Sequence, residues 1–126
     1  MVWSEEISMA SKKHVEDIGP RGLIQHDSSN GSTGVKERMR QYGNIVSCYG
    51  ENLSFHCEDA KEVMIQLIVD DGVQNKGHRE NVFNPEFRVM GCFSGAHKDF
   101  NNMSCIDYAG AFIVQGEPDP IERQMD

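Results

Sequence analysis

Residues 60–93 have the sequence AKEVMIQLIVDDGVQNKGHRENVFNPEFRVMGCF, in which a helical pattern is followed by a strand pattern. The first part repeats apolar residues every three or four positions, as on one helix face: Ala60, Val63, Met64, Leu67 and Ile68. This stripe predicts the central helix of the chain from about Glu58 to Asp70, ending before Gly72. A short helical turn should follow through residues 81–83 and end at Asn84, because the next residue is a proline, which disfavours helical backbone before it.

Two strands are predicted in the C-terminal half. Apolar residues alternate with other residues from Phe87 to Phe93, and a second strand is predicted from Ser104 to Ile113. Together they indicate a hairpin. The segment between them, Gly95 to Met103, is long for a tight turn. We therefore expect a long, irregular loop in which His97 is exposed to solvent.

The N-terminal half predicts a helix followed by a loop. Apolar residues at three- and four-residue steps predict a helix from about Ser4 to Asp17, with Ser4 as the N-cap. Ser, Gly, Asn and Asp are frequent from Gly22 to Gly34, which predicts a loop with His26 at its mouth.

A second, shorter helix is predicted from near Thr33 to Gly43, where the glycine can end it. Its basic residues are expected to face solvent: Lys36, Arg38 and Arg40. From Ile45 to Phe55 the pattern indicates only a turn and some extended chain.

The composition fits one globular domain and argues against several functions. The chain has 126 residues, 38% of them hydrophobic, which suffices for one core and is too apolar for general disorder. Its 12 Lys plus Arg against 20 Asp plus Glu give a net charge of −8, which argues against nucleic-acid binding, since such proteins concentrate positive charge. No apolar run approaches the roughly 18 residues that span a membrane.

Residues 1–114 are predicted to form the single domain, and the acidic residues 115–126 a loose C-terminal tail. The N-terminus lacks the basic start and apolar middle of a secretory signal. If the protein is exported, we expect its signal to be missing from this chain.

Two local features could carry chemistry. Asp70 and Asp71 fall at the predicted end of the central helix, where carboxylates oppose the helix dipole and need compensation. His78 follows a glycine at the entry to a turn, from which an imidazole can project into a cleft. A solvated surface explains the two acids equally well.

Several short motifs occur in the order found in one protein family. They are Trp3, His14, His26, residues 50–53 (GENL), residues 67–73 (LIVDDGV), residues 77–85 (GHRENVFNP), residues 87–92 (FRVMGC) and residues 106–110 (IDYAG). In this series the chain resembles the CAP superfamily of cysteine-rich secretory, antigen five and pathogenesis-related proteins, in its microbial SCP-like form. The resemblance extends to about residue 114.

The resemblance implies an α+β fold, a three-layer α-β-α sandwich with a small antiparallel sheet, and a cleft that holds two histidines and two acids. By position, His26, Glu51 and His78 match three of these cleft residues. Asp71 is the nearest match to the fourth, where many relatives have a glutamate, and its shorter side chain reaches less far.

Two neutral imidazoles and a carboxylate are a suitable ligand set for Zn²⁺, with one position left for water. The predicted metal ligands are His26, His78, Glu51 and Asp71. If the cleft is catalytic, the residues involved would be Glu51, His78 and Asp71. The carboxylate of Glu51 or Asp71 would then act as the general base. The alternative is a structural cluster of hydrogen-bonded polar groups.

Three further histidines are weaker candidates. His14 lies on the apolar side of the first helix and is expected to pack at the core. His56 is expected in a surface turn. His97 could extend the cleft, because microbial relatives have a histidine in this loop.

The four cysteines allow three pairings. Cys92 and Cys105 fall on the two neighbouring predicted strands, and relatives have a similar pair, which favours a disulfide between them. A second bridge would then join Cys48 and Cys57. Four reduced thiols are the alternative. The resemblance and the cysteines together indicate a secreted, extracellular protein.

Three functions are compatible with this reading. The first is a non-enzymatic binding module for a divalent metal or for a small apolar ligand such as a sterol or fatty acid. The second is a metal-dependent hydrolase or peptidase that uses the same cleft. The third is an interaction or defence protein that contacts a protein partner through its surface loops.

Overall fold

A computed structural model describes residues 1–57, 59–69 and 77–114. In these residues the chain forms four helices and four strands, which occur in the order β1 (Val2–Trp3), α1 (Glu5–Ile18), α2 (Val35–Arg40), β2 (Asn44–Phe55), α3 (Ala60–Val69), α4 (Gly77–Phe83), β3 (Val89–His97) and β4 (Asn101–Ile113). The predicted tail at 115–126 and the acids Asp70 and Asp71 lie outside the described residues.

The strands form one sheet in the order β1-β3-β4-β2. β4 is antiparallel to both β3 and β2, and the two-residue β1 is parallel to β3. The predicted hairpin is confirmed, but the prediction of a long, irregular loop between its strands is wrong. Pairing continues to His97 opposite Asn101, because Asn101 adopts a φ of 70° and lets the chain reverse within a tight turn.

β2 is the largest difference from the predicted elements. It is a strand of 12 residues that pairs with β4 along its whole length. A β-bulge shifts the register between Val46 and Tyr49, and Ser47 in the bulge has a φ of 76°. Because a bulge interrupts the two-residue alternation of side chains, the strand pattern is not visible in the sequence.

Helices cover both faces of the sheet, so the predicted three-layer α-β-α sandwich is confirmed. On one face α1 and α2 pack against the sheet, with a core of Ile7, Ala10, Val15, Ile18, Met39, Leu53, Met103, Cys105, Ala109 and Phe112. On the other face α3 packs with residues Val63 and Leu67 against Phe87, Ile106 and Tyr108.

α1 begins and packs as predicted. The Ser4 hydroxyl accepts a hydrogen bond from the Ile7 backbone N–H at 3.1 Å, which caps the helix. The helix then lies directly on the backbone of β3 at Gly91, where a Cβ atom would come within 2.3 Å of the Ser8 nitrogen. This contact requires glycine at position 91, and it fixes the distance between the first helical layer and the sheet.

The four cysteines are free thiols, so neither predicted disulfide is formed in the structure. Cys92 and Cys105 do lie on neighbouring strands, but Cys92 pairs with Ile106 and Cys105 pairs with Phe93. This offset of one residue places the two side chains on opposite faces of the sheet. Cys105 packs against the α1 core, whereas Cys92 packs against the α3 core. Cys48 and Cys57 are also unbridged, near opposite ends of β2.

Among the described residues, no helix is long and apolar enough to cross a bilayer.

Candidate functional site

Glu51 lies in the middle of β2 and its side chain is only 1% exposed. Its Oε1 atom lies 2.7 Å from His26 Nδ1, and its Oε2 atom accepts a hydrogen bond of 2.7 Å from Arg38 Nη1. The Cys105 thiol donates to the same Oε2 at 3.2 Å. Of the predicted site residues, the structure therefore brings His26 and Glu51 into direct contact.

Arg38 is the main correction to the predicted site. Its side chain is 4% exposed instead of facing solvent, because it lies on the same helix face as Val35 and Met39, which packs on the sheet. Its guanidinium also lies 3.6 Å from Asp107 Oδ2 and donates to the His26 carbonyl oxygen at 3.0 Å. The three-residue step from Val35 to Arg38 was the available signal, since it places the arginine on the apolar face.

Asp107 on β4 is the second residue that sequence reasoning missed. It is fully buried, it pairs with Glu51 in the sheet register, and its Oδ2 accepts a hydrogen bond of 2.8 Å from the Ser11 hydroxyl. Its Oδ1 has no hydrogen-bond partner among the residues that the structure describes. An acid in the middle of an otherwise apolar strand was the available signal.

The two carboxyl groups have opposite pKa shifts. Burial and the hydrogen bond and charge of Glu51 raise the pKa of Asp107 well above its ordinary range. Burial also opposes ionisation of Glu51, but hydrogen bonds from His26 and Asp107 and the charge of Arg38 outweigh it and hold the pKa of Glu51 below its ordinary value. Of the two, Glu51 is therefore the carboxyl group that ionises more readily, and Asp107 is the one that keeps its proton to higher pH.

His26 forms the exposed edge of this cluster, with 54% of its side chain accessible to solvent. Its hydrogen bond to Glu51 raises the pKa of the imidazole, and burial only partly offsets this effect. The ring is therefore held at one nitrogen by a buried carboxylate, while much of its surface faces solvent.

The loop before His26 is fixed by hydrogen bonds to its backbone carbonyls. His97 Nε2 donates to the Leu23 carbonyl at 2.9 Å and His14 Nε2 donates to the Gln25 carbonyl at 2.8 Å, since a carbonyl oxygen can only accept. Together with the Arg38 bond to the His26 carbonyl, these contacts hold three of the four carbonyls from residue 23 to residue 26.

The structure decides the roles of the three weaker histidine candidates. His14 is buried against the core as predicted, and burial lowers its pKa. His97 is also buried, contrary to the solvated position predicted for it, because the long hairpin places its ring against Phe55 and Phe100. His56 lies exposed just after β2 in a left-handed turn with a φ of 62°, as predicted.

α4, the helix that carries His78, is attached to β2 beside Glu51. The Asn81 side-chain amide donates to the Glu51 carbonyl at 3.2 Å and to the Asn52 side chain at 2.9 Å. His78 precedes Asn81 by one turn of this helix. The side chain of His78 and the whole of Asp71 lie outside the described residues.

Glu51, Cys105 and Asp107 offer ligand atoms that all lie within 4.8 Å of one another, and this buried group could hold a metal ion. Cys105 and Asp107 were not among the predicted ligands. Two observations argue against metal binding by this group. Arg38 already places a positive charge 2.7 Å from Glu51 Oε2, and burial raises the pKa of the Cys105 thiol well above its ordinary value, whereas a metal binds the thiolate.

Comparisons with known proteins agree with this architecture. Among solved structures, an outer surface protein from Borrelia burgdorferi has a similar fold, with a TM-score of 0.71 and 16% sequence identity over 86% of this chain and 76% of that chain. A search of curated protein sequences returned no match. The sequence profile of the cysteine-rich secretory protein family, CAP, matches residues 1–110. The chain therefore belongs to the CAP family.

Proposed function

We propose that this protein is a non-enzymatic binding module that holds a divalent cation such as Zn²⁺ in the cleft at His26. The contact of 2.7 Å between His26 Nδ1 and Glu51 Oε1 carries the proposal. A neutral His26 that donates its Nδ1 proton to Glu51 has its lone pair on Nε2. Histidines that bind metals in proteins are commonly oriented in this way by a carboxylate on the second nitrogen.

This proposal changes the role of Glu51 from ligand to orienting residue. Both of its oxygens are already engaged, one by His26 and the other by Arg38 and Cys105, and its side chain is buried. The exposed His26 ring is the better donor to a cation that arrives from solvent. Under the proposal, the second imidazole comes from His78 on α4, and Asp71 supplies a carboxylate oxygen.

The proposed chemistry fits the charge of the cluster. Glu51 and Arg38 form a buried pair of opposite charge, so the metal adds its charge only at the exposed edge, at His26. Ligands of this type bind only when deprotonated. The raised pKa of His26 means that protons compete with the metal, so the affinity is expected to fall as the pH drops below neutral.

The family name supports an extracellular or cell-surface location for the module. We include this location in the proposal. The four cysteines are free thiols in the structure, whereas an oxidising compartment favours disulfides. The oxidation state of the cysteines should therefore be checked in any preparation of secreted protein.

The test is calorimetric titration of Zn²⁺ into metal-stripped, thiol-verified protein, with His26→Ala and His78→Ala beside the parent. Both variants should lose binding, and His56→Ala, which removes an exposed histidine that contacts the Phe100 carbonyl and not Glu51, should bind as the parent does. Glu51→Gln should weaken binding by about 10- to 100-fold. Absence of binding in the parent, or equal binding in all variants, contradicts the proposal.

A further inference from the structure

A second candidate site is a small polar cavity between α1, α2 and the loop that joins them, and we call it the α1–α2 cavity. Its volume is about 90 Å³. The described residues that line it are all polar or charged: Lys13, His14, Asp17, Ser28, Thr33, Arg38 and Gln41. A water molecule takes up about 30 Å³ in the liquid, so the cavity has room for one small ion together with a water.

Arg38 has an unused hydrogen-bond donor beside this cavity. It donates through Nη1 to Glu51 and through Nη2 to the His26 carbonyl, and its Nε–H has no partner among the described residues. In that part of the chain, Asp107 Oδ1 is the only fully buried side-chain nitrogen or oxygen without a partner. The Nε atom of Arg38 must therefore border accessible space, and the α1–α2 cavity is a space that Arg38 lines.

Gln41 and Lys13 add further unused donors. The Gln41 side-chain oxygen accepts a hydrogen bond from the Lys13 ammonium group. This contact leaves the Gln41 NH₂ group and two of the ammonium hydrogens without a partner among the described residues. Both helices therefore offer donors to a molecule in the cavity.

The carboxylate in the lining, that of Asp17, is already occupied. It accepts hydrogen bonds from the Ser29 backbone N–H at 2.8 Å, from the Ser29 hydroxyl at 2.7 Å and from Arg21 at 3.3 Å. His14 donates through Nε2 to the Gln25 carbonyl, so its Nδ1 is an acceptor, to which a water in the cavity can donate. The unused donors on the helices thus have no carboxylate left to bind within the described lining.

The charges of the lining favour a ligand with one negative charge. Arg38 shares its positive charge with the buried Glu51, and Asp17 pairs with Arg21. Lys13 is therefore the cation without an ion-pair partner among the described lining residues. Hydrogen bonds between cationic donors and anions are stronger than those between neutral groups, so an anion satisfies both the donors and the charge.

We propose that the α1–α2 cavity binds a small anion with one negative charge, of the size of chloride or formate. Arg38 Nε, the Gln41 NH₂ group and the Lys13 ammonium group donate hydrogen bonds to it. Ser28 and Thr33 belong to the loop that follows His26, so the bound anion ties this loop to both helices. The site needs no metal at His26, and each of the two proposals can fail without the other.

The test is a titration of chloride into nitrogen-labelled protein, followed by heteronuclear NMR, with chloride replacing gluconate so that the ionic strength stays constant. The cross-peaks of Arg38 Nε–H and of the Gln41 NH₂ group should shift saturably with chloride and with formate. Gluconate is too large to enter and should not shift them. The NH₂ peak of Gln66, which donates to the Phe55 carbonyl away from the cavity, should stay in place throughout.

A matched pair of lysine variants tests the location. Lys13→Met removes a donor and its charge, and should weaken chloride binding at least about tenfold. Lys12→Met removes the same charge at the neighbouring exposed position of α1, outside the lining, and should bind chloride within about twofold of the parent. Gln41→Glu adds a carboxylate beside Lys13 and should abolish binding.

Lys12, Lys13 and Gln41 are exposed, so we expect all three variants to fold, with unchanged backbone cross-peaks far from the cavity. The proposal is overturned if neither chloride nor formate shifts the Arg38 and Gln41 peaks saturably, or if gluconate shifts them equally. Equal chloride affinities of Lys12→Met and Lys13→Met would also overturn it.

Discussion

Glu51 of β2 and Asp107 of β4 are direct partners in the sheet register, so two carboxyl groups lie side by side in the interior. A single guanidinium, that of Arg38, lies 2.7 Å from one and 3.6 Å from the other. One positive charge can balance one carboxylate, and burial and the neighbouring Glu51 carboxylate raise the pKa of the second carboxyl group, that of Asp107. A further negative charge is therefore disfavoured in the cluster beneath His26.

The two carboxyl groups should differ in their importance for stability. Glu51→Gln leaves the buried Arg38 without its main counter-charge, and we expect a loss of about 3–5 kcal/mol in the free energy of unfolding. Asp107→Asn keeps the shape of the side chain and removes a carboxyl group whose ionisation is favoured in the unfolded chain and disfavoured in the folded one, so at neutral pH we expect no loss or a gain in stability. Urea titrations at neutral pH measure both. Equal losses would show that the charge is not on Glu51.

Arg38 should be essential to the fold, whereas its exposed neighbour should not. Arg38→Met leaves Glu51 buried without its guanidinium, and we expect a loss of about 3–5 kcal/mol. Arg40→Met changes an exposed arginine on the same helix and should stay within about 0.5 kcal/mol of the parent. Chemical denaturation of the two variants makes the comparison. Similar stabilities would contradict the proposed pairing of Arg38 with Glu51.

The raised pKa of Asp107 predicts a specific dependence of stability on pH. Its pKa in the folded protein is raised above the ordinary 3.8, so its contribution to stability is complete below about pH 4 and is lost as the pH rises through the folded-state value. Asp107→Asn cannot ionise, so its stability relative to the parent should increase between about pH 4 and pH 7. Denaturant titrations of both proteins across this range provide the test. A stability difference that is constant with pH would refute it.

His14 and His97 should act on the cleft through the loop that carries His26. His14→Phe and His97→Phe each leave a loop carbonyl without its donor, at a cost of about 1–3 kcal/mol. We expect faster amide hydrogen exchange at residues 23–26 in both variants, and no change there in the exposed control His56→Phe. Unchanged exchange in all three would mean that other contacts hold the loop.

The thiols should react in an order set by burial. Cys105 is fully buried, and burial raises its pKa, so its alkylation should require unfolding. Cys48 and Cys57 are partly exposed and should be alkylated in the native state. Mass spectrometry of timed alkylation reports the order. Recovery of a peptide that links Cys92 to Cys105 would instead show that the two strands shift register.

The elements that could be predicted from the sequence are those whose pattern is local. The apolar stripe of α3, the N-cap of α1 and the alternation in β3 each span a few consecutive turns or pleats, so a short window contains the signal. β2 was missed because its bulge breaks the alternation, and the tightness of the hairpin was missed because it depends on the backbone of Asn101.

The residues of the candidate site also fall into those that sequence motifs indicated and those that only the tertiary structure revealed. His26, Glu51 and His78 were expected from the resemblance of their motifs to the family, and the structure brings His26 and Glu51 together. Arg38 was expected in solvent, and Asp107 was quoted only as part of a motif and not as a site residue. A buried charge is stable only beside a partner, and the partners here are 13 residues apart for Arg38 and Glu51 and 96 residues apart for Ser11 and Asp107. No local sequence pattern indicates contacts between residues that are so far apart along the chain. Only the pairing of β2 with β4, and the packing of α1 and α2 above them, decided which polar side chains could be buried together.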